Sequence, residues 1–322
     1  MTERIQGERV FITGGAGFIG STLIGRLIER NKVVVYDNFS RDAIRGKPYA
    51  NHPNLTVVQG DILNAELLAR SMREQDSTYV IHAAAIAGIA SVLKSPVTTM
   101  KVNMVGSCHV LEAAAALRDC KRVVCFSTSE VFGQMAFRSD ETSPAVMGAV
   151  GEARWTYAVS KLSVEHLAYA FYKETGLPTV TVRPFNVYGP GQVGEGAIRA
   201  FVLRALQDRT LQIHGDGTQI RAWCYIDDMV EGILCAMTQE GAIGQSFNIG
   251  NQRTVMTIYG LANTIIRVLH SNSKIEFVEA DSADIELRIP NVEKARAVLG
   301  FEAKVGLEEG ILRTAEFFRG NT

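Results

Sequence analysis

The first strand predicted in this chain, at residues 10–13, runs directly into a glycine-rich turn, Gly14-Gly15-Ala16-Gly17-Phe18-Ile19-Gly20, which opens a predicted helix at 18–30. Glycines let a chain turn tightly and let its backbone approach a pyrophosphate, and the N–H groups at the start of the helix then bind that anion. Asp37 follows the second predicted strand, 17 residues after Gly20. This spacing at the start of a strand–helix–strand unit predicts a dinucleotide-binding fold, with a purely structural turn as the alternative.

Short β-branched runs alternate with segments of helical periodicity over the first 183 residues. This alternation predicts an α/β fold with a doubly wound parallel sheet of the Rossmann type. The predicted strands are 10–13, 33–36, 55–58, 79–82, 123–126 and 179–182, and the further predicted helices are 65–73, 97–117 and 156–173.

The pattern changes after residue 183, where a loop rich in proline and glycine begins. We therefore predict a cofactor-binding domain at 1–183 and a smaller C-terminal α/β substrate lobe at 184–322, some segments of which return to the first domain. In this lobe we predict helices at 198–206 and 258–269, a helix capped at Asp227 and two short terminal helices. We also predict strands at 211–214, 246–249 and 274–277, with Thr257 capping the helix that follows it.

Composition argues against several classes of partner. The 33 basic and 34 acidic residues leave a formal charge of −1, so no overall positive field attracts nucleic acid or an anionic membrane. Five cysteines without a CxxC pair argue against a disulfide framework or zinc site and favour a reducing compartment. His82, His109 and His166 have no metal-ligand spacing and are interpreted as packing or surface residues. We expect a cytoplasmic protein that has neither a metal nor a membrane span.

The side chains around the turn indicate which dinucleotide binds. A carboxylate at Asp37 accepts hydrogen bonds from the adenosine ribose and repels a 2′-phosphate, which favours NAD over NADP, although the nearby Arg41 is able to hold that phosphate. Asp61 and Ile62 follow the third strand, where an adenine ring would lie, but Asp61 is equally well explained as a helix cap. The alanines at 83–85 suit a close approach to a cofactor, and helix packing explains them equally well.

Tyr157 and Lys161 lie four residues apart on one predicted helix and therefore share a face. An ammonium group beside a tyrosine, together with the positive nicotinamide ring, lowers the pKa of the phenol from about 10 and makes it a usable base. A solvated Tyr–Lys pair is the alternative in most sequences. The position after the fifth strand of a dinucleotide-binding fold favours the catalytic interpretation.

Together, the glycine turn, Asp37, Tyr157-Ala-Val-Ser-Lys161 and the segment RPFNVYGPG at 183–191 resemble the extended short-chain dehydrogenase/reductases that modify nucleotide sugars. The resemblance implies NAD as cofactor, a nucleoside-diphosphate sugar (most simply a UDP-sugar) as substrate, and a homodimer formed through helices near 97–117 and 156–173. It also implies a first step in which C4 of the sugar is oxidised to a ketone. The cofactor-binding residues that we predict on this basis are Gly14, Gly17, Phe18, Ile19, Gly20, Asp37, Asn38, Asp61, Ile62, Ala83, Ala84, Ala85, Asn103, Tyr157, Lys161 and Pro184.

Three local features resemble UDP-glucuronate decarboxylases in particular. Thr128-Ser129-Glu130 carries a carboxylate that a simple hydride transfer does not need, Arg154 precedes Tyr157 by three residues without an intervening proline, and Arg221 is followed by alanine. The resemblance implies that Thr128 contacts the C4 oxygen and that Ser129 and Glu130 act at C5. The alternatives are a UDP-sugar 4-epimerase, which residues 84–105 resemble more closely, then a 4,6-dehydratase, and, in a different class, a catalytically idle NAD-binding regulator.

Four residues are predicted to bind the substrate. Arg221 and Arg288 suit a diphosphate because guanidinium groups match phosphate oxygens, and surface ion pairs are the alternative for both. Asn186 resembles the substrate-side asparagine of the family, and Arg154 is able to steer a sugar carboxylate. Glu130 would repel a glucuronate carboxylate unless one of the two is protonated or an arginine lies between them.

Overall fold

The β-branched runs of the first half form a seven-stranded parallel sheet in the computed structural model of the protein, which describes residues 5–279 and 285–320. The strand order is β12-β7-β5-β4-β1-β2-β3, which confirms the doubly wound sheet. Its strands are β1 (Arg9–Thr13), β2 (Lys32–Asp37), β3 (Leu55–Gln59), β4 (Tyr79–His82), β5 (Arg122–Phe126), β7 (Thr179–Pro184) and β12 (Gln245–Ile249).

Helices cover both faces of this sheet because successive residues of each strand point to opposite sides. On β1, Val10 and Ile12 pack into one hydrophobic core with Leu23, whereas Phe11 packs into the other with Leu68. The helices of the chain are α1 (Phe18–Leu27), α2 (Ala65–Glu74), α3 (Ile89–Lys94), α4 (Pro96–Met100), α5 (Gly106–Ala115), α6 (Ala153–Thr175), α7 (Ala197–Ala205), α8 (Ile226–Thr238), α9 (Ile258–Leu269) and α10 (Leu307–Arg319).

The second lobe is built around a four-stranded sheet of order β13-β10-β15-β6. One of its strands, β6, comes from the first half of the chain, whereas β12 from the second half pairs with β7 in the large sheet. Each half of the chain therefore contributes one strand to the sheet of the other half. The remaining strands are β6 (Met135–Ser139), β8 (Val187–Tyr188), β9 (Leu211–His214), β10 (Ile220–Ala222), β11 (Cys224–Tyr225), β13 (Val255–Thr257), β14 (Ile275–Val278) and β15 (Leu287–Pro290).

Two helix predictions need correction. The segment predicted as one helix at 97–117 consists of α4, a π-helical stretch at Lys101–Val105, and α5. Asp227 is not the cap of α8: Tyr225 occupies the N-cap, and Asp227 lies in the first turn, where its charge suits the helix dipole. The cap at Thr257 is confirmed, since its Oγ1 accepts the N–H of Gly260 at 2.9 Å.

Candidate active site

The backbone of the glycine-rich turn packs directly against the backbone that follows β4, which leaves no room for a side chain. Gly14 has φ +72°, and a Cβ atom there would lie 2.5 Å from the backbone nitrogen of Ala84. A Cβ on Gly20 would lie 2.6 Å from the carbonyl oxygen of Gly14. The N-cap of α1 is Gly17, which has no side chain to offer to the first turn. The first N–H groups of α1 therefore face a position suited to an anion.

Asp37 ends β2 beside this turn. Its Oδ2 accepts the N–H of Ala16 at 2.9 Å and its Oδ1 accepts the N–H of Phe39 at 2.8 Å. Burial raises the pKa of Asp37, and these N–H bonds oppose that shift. The guanidinium of Arg41 is bonded nearby: its Nη2 donates to the carbonyl of Ala87 at 3.2 Å. The carboxylate of Asp37 is thus fixed by backbone N–H groups, and the guanidinium of Arg41 is bonded to the segment after β4, which lines the same cavity.

A cavity of about 450 Å³ runs from this turn to α6. Every residue predicted to bind the cofactor lines it except Asn103, and Thr128 lines it as well. Sequence reasoning missed several lining residues, some of which adjoin predicted ones in the chain, whereas Gln192, Val193 and Glu195 come from the loop after β8. The missed lining residues are Tyr36, Ser40, Gly60, Ile86, Ala87, Thr98, Val102, Phe126, Ser127, Gln192, Val193 and Glu195, whereas Arg41, considered above for a 2′-phosphate, lines the cavity too.

Asn103 lies beneath the cavity rather than in its wall. It is fully buried within the π-helical stretch, and its amide group bonds to both the N–H and the carbonyl of Ile86, at 2.9 and 3.1 Å. Its Nδ2 also donates to Ser160 Oγ at 2.9 Å. The side chain therefore supports the cavity wall and is already occupied by protein partners.

Tyr157 and Lys161 both reach the cavity from α6. Burial lowers the pKa of Lys161 to about 8, opposed in part by negative charge that includes Glu165. Burial also raises the pKa of Tyr157, and the charge of Glu130 adds to the rise. A hydrogen bond from Thr128 and the charge of Arg288 lower it. Arg288 is thus a source of positive charge near the phenol that sequence reasoning did not identify.

Glu130 is flanked by two arginines. Its Oε1 lies 3.6 Å from Nη1 of Arg154 and 3.5 Å from Nη2 of Arg288, and all three side chains are largely buried. Thr128 caps the short 3-10 helix Ser129–Phe132, with its Oγ1 accepting the N–H of Glu130 at 3.2 Å. Ser129 is buried next to Glu130 and does not line the cavity.

The other two residues predicted to bind substrate come from neighbouring segments of the second lobe. Arg221 on β10 is the register partner of Arg288 on β15, and both are buried. Asn186 has φ +32°, and its Nδ2 donates to the carbonyl of Ala222 at 2.8 Å. Asn186 thus fixes the end of β10, next to the strand position that carries Arg221. Neither residue lines the 450 Å³ cavity.

Residues 5–279 and 285–320 offer neither a clustered metal site nor a membrane-spanning helix. This part of the chain contains no cluster of three or more His, Cys, Asp or Glu side chains able to hold a metal ion. It contains no helix that is both long and apolar enough to cross a membrane.

The chain has close relatives in sequence. Residues 10–250 match the model of the NAD dependent epimerase/dehydratase family. The chain is 34% identical over 325 residues to a UDP-N-acetyl-alpha-D-glucosaminuronate decarboxylase from Bacillus cytotoxicus, covering 97% of this chain and 98% of that protein. It is also 34% identical over 319 residues to UDP-glucuronic acid decarboxylase 6 of Arabidopsis thaliana, covering 97% and 89%.

Solved structures share the whole fold. A UDP-glucuronic acid 4-epimerase from Bacillus cereus, in complex with UDP-glucuronic acid and NAD, superposes with a TM-score of 0.88 at 27% identity, covering 98% of this chain and 100% of that one. A UDP-glucose 4-epimerase from Thermotoga maritima gives a TM-score of 0.88 at 31% identity, covering 97% and 99%.

Proposed function

Since the chain belongs to the NAD dependent epimerase/dehydratase family, we propose that it is an NAD-dependent lyase that decarboxylates UDP-glucuronate. Two relatives at 34% identity, each matching 97% of this chain, are named as decarboxylases: one of UDP-N-acetyl-alpha-D-glucosaminuronate and one of UDP-glucuronic acid. The observation that carries the proposal is the position of Glu130, a carboxylate held between Arg154 and Arg288 within electrostatic reach of Tyr157.

The residues of the cavity fit NAD. The N–H groups at the start of α1 face the place of a pyrophosphate, with the turn kept open by Gly14 and Gly20. Asp37 would accept from the hydroxyls of the adenosine ribose, since each of its oxygens keeps a lone pair beyond its bond to a backbone N–H. NAD bound there supplies the oxidant for C4 of the sugar.

Tyr157 is the base in the proposed mechanism, and Thr128 and Lys161 assist it. The deprotonated oxygen of Tyr157 takes the proton of the C4 hydroxyl while the hydrogen on C4 leaves as a hydride to the oxidant, and C4 becomes a ketone. Thr128 Oγ1 already accepts the N–H of Glu130, so its own hydrogen stays available to an acceptor, which is Tyr157 here and the C4 oxygen when substrate is bound. Lys161 is buried beside them and favours the negative charge that develops on oxygen.

The 4-ketone makes the C6 carboxylate a β-keto acid. The C5–C6 bond breaks, CO2 leaves, and the electron pair passes through C5 to the C4 oxygen, which the proton now on Tyr157 and the hydroxyl of Thr128 stabilise. Glu130, with Ser129 beside it, passes a proton from solvent water to C5. Tyr157 then returns its proton to the C4 oxygen as C4 is reduced again to an alcohol, so the net change is the loss of CO2. Arg154 and Arg288 offset the charge of Glu130 and allow the C6 carboxylate to approach it.

Arg221 and Arg288 are the proposed ligands of the diphosphate, because they sit opposite each other on neighbouring strands and present two guanidinium groups together.

We also propose a homodimer through α4, α5 and α6. Apolar side chains stand exposed on this surface, among them Val97, Val105 and Val159.

The test is mass spectrometry of UDP-glucuronate after incubation with the protein and NAD, with Tyr157→Phe as the matched inactive control. Loss of the mass of CO2 supports the proposal. An unchanged mass with a new isomer would identify a UDP-glucuronate 4-epimerase, the second candidate, which the fold shared with the Bacillus cereus enzyme favours. Parallel reactions with UDP-N-acetylglucosaminuronate show which of the two uronates the protein decarboxylates.

A further inference from the structure

A chain of buried hydrogen bonds runs beneath the cavity from β1 to α6, with His82 at its centre. His82 is the last residue of β4 and is fully buried. Its Nδ1 lies 2.8 Å from Thr13 Oγ1, and its Nε2 lies 2.7 Å from Ser107 Oγ. Both ring nitrogens are therefore occupied, one by the strand that leads into the glycine-rich turn and the other by α5.

The neighbouring groups determine the direction of each bond. Ser107 donates its one hydroxyl hydrogen to the carbonyl of Asn103, so its oxygen must accept from His82 Nε2. The imidazole thus carries its hydrogen on Nε2, which leaves Nδ1 to accept from the hydroxyl of Thr13. The oxygen of Thr13 in turn faces the N–H of Ala84 at 3.5 Å.

On the other side of His82 the bonds continue into the catalytic helix. Asn103 Nδ2 donates to Ser160 Oγ, which donates to the carbonyl of Tyr157 at 2.7 Å. Asn103 also holds Ile86 by two bonds, and Ile86 lines the cavity. The same set of contacts therefore fixes the cavity wall at residues 83–86 and the helical turn that carries the phenol.

These bond directions are those of a neutral ring, since a proton on Nδ1 would turn the hydroxyl hydrogen of Thr13 away. Burial, and then the positive charge of Lys161, lower the pKa of His82 to about 3. Neutrality is therefore maintained at physiological pH.

We propose that His82 is a positioning residue. As an Nε2–H imidazole bonded to Thr13 and Ser107, it holds residues 83–86, which line the cofactor cavity, at the distance from Tyr157 that the reaction needs. The inference rests on the proposed role of Tyr157 as base. His82 does not line the cavity, so it acts through Thr13, Ser107 and Asn103 rather than by contact with substrate.

The first test compares His82→Leu with His82→Gln and Ser107→Ala. A displacement of about 1 Å at a reacting group costs up to about 100-fold in rate, so we expect His82→Leu to lower kcat by roughly 10- to 100-fold while KM for the UDP-sugar changes by less than about threefold. Gln keeps a donor and an acceptor and should recover part of the loss. Ser107→Ala should lower kcat as well, and the double variant should lose little more than His82→Leu alone.

Ser71→Ala is the matched control, because it removes a buried helical hydroxyl, on α2, that bonds to the carbonyl of Leu67 outside this chain of contacts. We expect it to keep the wild-type kcat. A His82→Leu variant with a lowered melting temperature but wild-type kcat would overturn the positioning role, since a purely structural residue gives that result.

The second test needs no turnover and so separates this inference from the proposed function. In ¹⁵N NMR of the wild-type protein, one histidine should show the Nε2–H tautomer and no titration between pH 5 and 8, where an unshifted histidine titrates, at about 6.5. That signal should disappear in His82→Gln. Dissociation of NAD, followed by fluorescence, should be faster in His82→Leu because the wall at 83–86 has lost its support. An Nδ1–H tautomer, or unchanged NAD binding together with unchanged kcat, would contradict the proposal.

Discussion

Nη2 of Arg288 lies 3.5 Å from Oε1 of Glu130, which joins a strand of the second lobe to the short helix after β5. A carboxylate in this position would repel a uronate if it were alone. With Arg288 on one side and Arg154 on the other, Glu130 and its two partners carry a net positive charge, so the site is able to receive a second carboxylate.

Replacing Tyr157 by Phe should lower kcat by at least about 100-fold, because general-base catalysis contributes roughly 10²–10⁴. The phenyl ring keeps the packing of α6, so binding of the nucleotide sugar should stay within about threefold of wild type. Steady-state kinetics and isothermal titration calorimetry measure the two quantities. Retained turnover would remove Tyr157 from the mechanism.

Neutral replacements of Arg288 and of Glu130 should shift the pH profile of kcat/KM in opposite directions. Glu130 raises the pKa of Tyr157 and Arg288 lowers it. The base acts deprotonated, so Glu130→Gln should shift the rising limb of kcat/KM to lower pH, and Arg288→Met should shift it to higher pH. A shift in the same direction for both variants would contradict this electrostatic account.

Glu130→Gln should also separate the two chemical stages. Oxidation at C4 and loss of CO2 both precede the step that uses Glu130, so the first equivalent of CO2 should leave at the wild-type rate and reduced cofactor should build up, visible as its near-ultraviolet absorbance. Later turnovers wait for protonation of C5, so the steady-state release of CO2 should slow by at least about tenfold. Glu152→Gln, on an exposed residue at the N-cap of α6, serves as the control. A normal steady-state rate of CO2 release by Glu130→Gln would exclude a role for Glu130 at C5.

Asp37→Ser should weaken NAD binding by about 10- to 100-fold, since a hydrogen bond to a charged group contributes roughly 1.5–3 kcal/mol. Removal of the carboxylate should at the same time improve binding of NADP. Arg41→Met is the companion variant. Because Arg41 is bonded to Ala87, we expect it to change the preference for NAD over NADP by less than about threefold. Fluorescence titration with each cofactor gives the ratio.

Acid should destabilise the protein through His82. Its pKa is about 3 in the folded protein and about 6.5 when unfolded, so between these values the unfolded chain binds one more proton. The free energy of unfolding should therefore fall by about 1.4 kcal/mol for each pH unit below about 6, as far as this one group contributes. Urea denaturation at several pH values measures the slope. His82→Gln should reduce it, whereas His166→Gln, on an exposed residue, should leave it unchanged.

Sequence alone predicted the local features of the fold and many of the residues that the structure brings to one cavity, while the roles of those residues stay predictions. The glycine turn, Asp37 and the Tyr157–Lys161 pair were predicted because their chemistry depends on spacing along a strand–turn–helix unit. The alternation of short strands and helices predicted the sheet for the same reason, and the Thr257 cap is a purely local contact.

Tertiary structure decided the contacts between distant segments. Glu130 and Arg288 meet only because β6 leaves the first half of the chain to pair with β15, an exchange that no local pattern indicates. Asn103 was predicted to contact the cofactor. Its side chain instead points from the π-helical stretch toward Ile86 and Ser160, to which it is hydrogen-bonded. Local propensity and hydrophobic period fix each element, whereas the side chains that face each other across the site depend on how strands from both halves of the chain pack, which is a property of the whole fold.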